Sequence, residues 1–316
     1  MDLAGVPATQ HWATMHGLAE AADSGPFESV WVYDHFHTVP VPAQEATYEA
    51  WSLMAALAVG TSRVRLGQMC TCMGYRNPAY LAKVAATIDV VSGGRVEMGI
   101  GAGWYEHEWR AYGYGFPGAG DRLGMLDEGV QIMRQLWATG SATLSGKHYQ
   151  VDGAIGQPRP LQEGGIPLWI AGSGEKKTLR IAAKYARYTN FNGSPEEFRH
   201  KSEILAGHCE DVGTDFGAIV RSSNFNVIIG ETERDVADKM AWIRAHYEPL
   251  VPTRVLERSM GVFTDGLAGT PEQIAAELAL RRDLGLGYAI CYFVDAAYSR
   301  SSIDLFASTV IPELSA

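Results

Sequence analysis

Four stretches of this sequence carry residue types that do chemistry, and each follows a run that reads as a β-strand. Tyr33-Asp34-His35-Phe36-His37 sets a carboxylate beside an imidazole. Imidazole titrates near neutrality, so Asp34 and His35 suit orienting and exchanging a proton at a carbon–oxygen or carbon–nitrogen bond undergoing redox. Asp34 would equally cap the turn. In Gln68-Met69-Cys70-Thr71-Cys72-Met73, small and polarizable side chains would let a flat ring lie against the backbone, or would simply pack a strand end. Gly99-Ile100-Gly101-Ala102-Gly103-Trp104 looks at first like a dinucleotide fingerprint but lacks its last glycine. Its glycines are read instead as permitting close approach of a ligand. Leu168-Trp169-Ile170-Ala171-Gly172-Ser173-Gly174-Glu175-Lys176-Lys177 runs from a strand through a glycine turn into a helix. Free amides at a helix start, the Ser173 hydroxyl and the Lys176 ammonium together suit a phosphate, with a plain glycine turn as the alternative. The Walker A spacing is absent.

Such loops need a scaffold that brings them to one place. Strands are expected over residues 29–33, 63–69, 95–100, 167–171, 188–191, 225–229 and 288–293, with a weaker one before the first helix. Helices are expected over 10–22, 48–58, 78–91, 121–137, 178–185, 195–212, 233–246 and 271–284. Apolar strands alternating with helices predict a parallel sheet buried on both faces. Eight such units fit a closed (β/α)8 TIM barrel forming one domain over residues 1–316, with a doubly wound open sheet as the alternative. In a barrel the loops after the carboxyl ends of the strands build the active site, and the four stretches are four of those loops. Two segments depart from the repeat: 144–152 reads as an inserted hairpin, and 248–269 as a long loop with a helical fragment.

Bulk properties narrow the partners. Of the 316 residues 47% are hydrophobic and 20% charged, enough apolar surface for a large core. Twenty-six basic against 36 acidic residues give a net charge of −10, which disfavours nucleic acid and anionic membrane as partners. Cys70 and Cys72 have no second pair at metal-ligand spacing, so reduced thiols are expected and no metal site. No apolar run is long enough to cross a bilayer, and the start lacks the pattern of a signal peptide, so a cytoplasmic protein is expected.

Taken together and in order, these stretches resemble the luciferase-like monooxygenase family, most closely its actinobacterial F420-dependent oxidoreductases. The resemblance rests on Asp34-His35-Phe36, Tyr75-Arg76-Asn77-Pro78-Ala79, Ser92-Gly93-Gly94-Arg95 and Gly99-Ile100-Gly101-Ala102-Gly103-Trp104. It continues through Ile170-Ala171-Gly172-Ser173-Gly174-Glu175, Gly269-Thr270-Pro271-Glu272-Gln273 and Asp304-Leu305-Phe306. It implies coenzyme F420 as cofactor, FMN being the alternative, with Asp34 and His35 approaching the deazaflavin ring. A non-prolyl cis peptide between Gln68 and Cys70 would back the ring, Gly101-Ala102-Gly103 would border it, and Gly172-Ser173-Gly174 would hold its phosphate. A homodimer is also implied. Trp104 stands where the relative that oxidises glucose 6-phosphate has a glutamate, so sugar-phosphate oxidation is not expected.

The expected activity is hydride transfer between C5 of the deazaflavin and a small organic substrate, with His35 or Asp34 handling the proton. Trp104, Tyr105, His37 and Tyr75 would line the substrate side. Two other readings stand beside it: an FMN-dependent monooxygenase, and an inactive barrel that acts as a binding protein.

Overall fold

The computed structural model describes residues 3–315. In chain order the elements are α1 (Ala8–Ser24), β1 (Ser29–Val32), α2 (Ala50–Gly60), β2 (Arg65–Gln68), β3 (Thr71–Cys72), α3 (Pro78–Ser92) and β4 (Val96–Gly101). Then come α4 (Glu106–Ala111), α5 (Ala119–Thr139), β5 (Ser141–Ser145), β6 (Gln150–Ile155), β7 (Leu168–Ala171), α6 (Thr178–Tyr185), β8 (Tyr188–Asn190) and α7 (Pro195–Val212). The chain continues with β9 (Val220–Ile229), α8 (Glu233–Tyr247), α9 (Thr253–Thr264), β10 (Leu267–Gly269), α10 (Pro271–Asp283), β11 (Leu286–Phe293), α11 (Ser301–Leu305) and α12 (Ile311–Ser315). No described helix is long and apolar enough to cross a membrane.

The residues group into two compact units, and all four chemistry-bearing stretches lie in the one built from Glu28–His37 and Thr47–Arg221. Its strands pair in the order β1-β2-β4-β7-β8, every pair parallel. The register sets Trp31 beside Gly67, Gly67 beside Glu97, Gly99 beside Trp169 and Trp169 beside Tyr188. Strand alternation therefore turns Trp31, Glu97, Trp169 and Tyr188 to one face. There Trp169 stacks on Tyr188 at 3.9 Å, Trp31 meets Trp169 edge-on at 4.6 Å, and the Trp169 indole donates to Glu97 Oε2 at 2.6 Å. Arg65 closes the group by pairing with Glu97. Because Arg65 opens β2 and Glu97 lies near the start of β4, this packed group sits toward the amino ends of the strands.

Local signals explain the helices. Asn77 accepts from the amides of Ala79 and Tyr80, Pro78 takes the first helical position, and Gly93 ends α3 at a φ of 72°. Ser194 and Glu197 form a reciprocal capping box at the start of α7. Arg95 is buried and donates to the carbonyls of Ala58, Thr61, Val64 and Ser92 and to the Thr61 hydroxyl. The Ser92-Gly93-Gly94-Arg95 motif thus tethers the end of α2 to the loop before β4.

In the other unit, β10 pairs parallel with β9, and β11 also pairs with β9. Ile228, Ile243, Leu256, Met260 and Val294 form a buried cluster there. Two expectations need correction in this unit. The helical fragment expected within residues 248–269 is the helix α9, and with β10 after it the segment is not a long loop. Pro252 immediately precedes α9, and Leu256, Met260 and Phe263 recur at helical spacing against the cluster, so the proline starts a helix instead of excluding one. No strand precedes α1 among the described residues: Leu3 to Pro7 form a turn closed by Val6 N–H on the Leu3 carbonyl. Met1 and Asp2 lie outside the described residues. In the unit that carries the four stretches, β5 and β6 make the expected inserted hairpin, antiparallel and slightly longer than read.

Candidate active site

The carboxyl ends of β1, β2, β4 and β7 carry the four stretches. After β2 the chain leaves its register. Gly67 lies beside Glu97, yet Thr71 lies beside Ile100, so three residues of one strand oppose two of the other. This bulge contains a cis peptide between Met69 and Cys70, inside the window read from the sequence. Glycines on β4 accommodate the bulge: a Cβ on Gly99 would run into the Gln68 carbonyl, and one on Gly101 would lie 2.9 Å from Cys70 Sγ. What approaches these glycines most closely is the bulge itself, through the Gln68 carbonyl at Gly99 and the Cys70 sulfur at Gly101. Gly103, at a φ of 78°, would place a Cβ 2.9 Å from Trp109 Nε1. Ala102 beside it is half-buried. The Gln68 side chain is fully buried; its Oε1 accepts from the Thr71 hydroxyl at 2.6 Å, while its Nε2 has no partner among the described residues. Cys70 is a neutral thiol, its pKa pushed up to about 12 by burial and then by the Asp34 charge. Among the described residues no three His, Cys, Asp or Glu side chains group to hold a metal.

After β1, Asp34 and His35 take different partners. Asp34 is buried and faces Arg76 in a two-pronged pair, 2.7 Å from one guanidinium nitrogen and 2.9 Å from the other. The Cys72 amide donates to the same carboxylate at 3.0 Å. Arg76 also reaches Glu49, whose carboxylate caps α2 through the amides of Trp51 and Ser52. Asp34 therefore binds the β1 loop to the bulge and to α2.

His35 turns instead to Glu108 on α4, its Nδ1 lying 3.0 Å from Oε2. The sequence reading did not single out Glu108. It is fully buried, and Tyr75 donates to the same oxygen at 2.7 Å. The amides of Phe36 and His37 donate to its other oxygen. Burial alone would raise this carboxyl, but the hydrogen bonds from His35, Tyr75 and Phe36 outweigh it and hold the pKa below the ordinary value. The chain holds no local signal that separates Glu108 from Glu106, two residues earlier in the same helical turn. His35 Nε2 has no partner among the described residues. Around it stand Tyr33, Trp104 and Tyr105, with ring centroids at 5.3, 5.9 and 5.9 Å. Trp104 is 62% exposed. Tyr75 is committed to Glu108, and His37 faces His107 at 3.2 Å.

The turn after β7 is of another kind. Gly172, at a φ of 129°, donates its amide to the Asn190 carbonyl, and residues 172–177 are exposed. The next amides, of Ser173 and Gly174, have no partner among the described residues, nor have the Ser173 hydroxyl and the Lys176 ammonium. Lys177 precedes α6 without a capping side chain. Unpaired donors and a cation so arranged suit an anion.

A parallel α/β unit with a bulged strand, a carboxylate-held imidazole and an open donor-rich turn defines a class of protein, and the comparisons place the chain within it. It belongs to the luciferase-like monooxygenase family, whose model matches residues 2–287. Pyrimidine monooxygenase RutA of Stutzerimonas stutzeri is 32% identical over 211 residues, 65% of this chain and 55% of that protein. The F420-dependent glucose-6-phosphate dehydrogenase of Amycolatopsis mediterranei is 33% identical over 172 residues, 53% of this chain and 48% of that one. The chain thus spans about half the length of these curated relatives. An F420-dependent secondary alcohol dehydrogenase, solved with an F420–acetone adduct, superposes with a TM-score of 0.77 at 22% identity. That match covers 96% of this chain and 94% of the other, and it is a likeness of fold.

Proposed function

We propose that this chain is an F420-dependent oxidoreductase built on a closed (β/α)8 barrel, acting on a small organic substrate. The carrying observation is His35: a carboxylate fixes one imidazole nitrogen and the other is left to the site. Bound F420 would supply the hydride chemistry at C5 of its deazaflavin ring. The bulge at Met69 and Cys70 and the β4 segment Gly101-Ala102-Gly103 would border that ring. The Ser173 and Gly174 amides, the Ser173 hydroxyl and Lys176 would hold the cofactor phosphate, with Ala171 and Gly172 shaping the turn. His35 Nε2 would take up or release the substrate proton, and Asp34 would hold the loop through Arg76 and Cys72. Trp104 and Tyr105 would exclude water on the substrate side. The homodimer implied by resemblance would show as a doubled mass in solution.

Similarity to RutA supports a second reading, a flavin monooxygenase using FMN. Titration of the purified chain with F420 and with FMN, followed by fluorescence, separates the two. F420 is expected to bind saturably and FMN weakly; tight FMN binding without an F420 response would overturn the proposal. Binding of neither would favour a barrel that has kept the fold without the activity.

A further inference from the structure

We infer that Glu108 is the positioning residue of this site: it fixes His35 in the Nδ1–H tautomer and so presents Nε2 to the reacting molecule. The inference deepens the proposed function, since it rests on His35 being the group that handles the proton.

An ionised carboxylate is acceptor-only and offers about four lone-pair positions. Glu108 receives four donors, two on each oxygen: His35 and Tyr75 on Oε2, the amides of Phe36 and His37 on Oε1. Every position is filled, and the side chain is fully buried. Such a carboxylate has no lone pair left for a substrate or a shuttled proton, so its own role is not proton transfer. Because it only accepts, the His35 nitrogen 3.0 Å away must be the one that carries hydrogen. Tautomers interconvert in a neutral imidazole, and the N–H form that a second group selects determines what the other nitrogen does. Here Nε2 becomes a lone-pair acceptor when His35 is neutral and a donor when it is charged, with the ring aim unchanged.

The two amide bonds add orientation. By holding the backbone on both sides of Phe36, Glu108 fixes the loop that carries His35 as well as the ring. Tyr75 fills the second position on Oε2 and is itself tied into the aromatic packing with Phe36 and Trp109. A buried helix residue thereby controls the chemistry of a strand-end residue 73 positions earlier in the chain.

The test is a long-range proton–nitrogen NMR spectrum of protein labelled in its histidine side chains, with His35 assigned from His35→Gln. At mildly alkaline pH, where neutral rings are visible, wild type is expected to show His35 with a protonated Nδ1 and an unprotonated Nε2. Glu108→Gln should move the population toward the Nε2–H form, whereas Tyr75→Phe should leave it in place, because the carboxylate remains. A wild-type spectrum dominated by the Nε2–H form would overturn the inference, as would a Glu108→Gln spectrum identical to wild type. Should Glu108→Gln fail to fold, the wild-type spectrum and Tyr75→Phe still decide. No cofactor enters the measurement: failure of F420 to bind would sink the proposed function and leave this result standing.

Discussion

Glu97 and Glu108 are both buried carboxylates of one compact unit, yet their surroundings push them in opposite directions. Glu97 lies toward the amino ends of the strands, and burial raises its pKa despite Arg65 and the Trp169 indole. Glu108 lies by the carboxyl end of β4; its hydrogen bonds outweigh burial and lower its pKa. The difference is in the donors. Glu97 has one partly exposed cation and one indole, while Glu108 has four donors within its own shell. Burial by itself destabilises a charge, and only a filled shell makes the charge an asset. The protein has placed the well-served carboxylate where an imidazole must be aimed.

The largest expected effect separates the two directly. Glu108→Ala strips the acceptor from four donors, one on buried Tyr75 and three on half-buried residues, and should lower unfolding stability by about 4 kcal/mol in urea denaturation. Glu97→Gln keeps an acceptor for the Trp169 indole while removing the poorly served charge, and should change stability by no more than about 1 kcal/mol, in either direction. Equal losses would remove the distinction.

Acid should reveal the same contrast with the signs reversed. Glu108 has a folded pKa below its ordinary 4.5, so its contribution is complete above that value and is lost as pH falls through the lower one. Glu49 acts in the same direction. Glu97 has a folded pKa above 4.5, so its ionisation costs stability as pH rises through the higher value. Urea midpoints at a series of pH values should therefore show Glu108→Gln falling furthest below wild type at neutral pH and converging with it in acid. Glu97→Gln should gain on wild type as pH rises from acid to neutral. Curves parallel to wild type for both variants would show that neither carboxylate is perturbed.

Much of this was legible in the chain, and the gaps have physical causes. Helices 178–185 and 195–212 matched their predicted bounds because each begins with a local signal, a turn or Ser194-Pro195, and ends where its apolar face ends. The strands were found through apolar runs, and the bulge through resemblance. Of the segment 248–269 only a helical fragment was legible, because its prolines look like breakers when only the local chain is considered, whereas α9 is stabilised by packing on Ile243 and Val294. Glu108 was missed for the same reason on a smaller scale. Nothing local distinguishes it from Glu106, which is exposed and paired only with Arg110, four residues along α4. What sets Glu108 apart is its contact with His35, a tertiary fact. Asp34 and His35 were read as a pair because they are adjacent, although in the loop after β1 their side chains part, one to Arg76 and one to Glu108.

The smallest expected effects belong to the turn after β7, the region least like Glu108. Its donors are exposed and unpaired, so removing one leaves the folded chain almost untouched: Ser173→Ala and Lys176→Ala should each shift stability by less than about 0.5 kcal/mol. Their consequence should appear only in cofactor affinity. Loss of the Ser173 hydroxyl bond to a phosphate should weaken F420 roughly tenfold. Loss of the exposed Lys176 charge should weaken it by about threefold to fivefold, an effect that fades as salt is added, since an exposed cation is screened within about 10 Å at ordinary ionic strength. Titrations of both variants at low and high salt check this. A Lys176→Ala deficit that persists in high salt would mean that the ammonium is desolvated in the complex and that the turn closes over the phosphate; unchanged affinity in Ser173→Ala would remove the phosphate from this turn altogether.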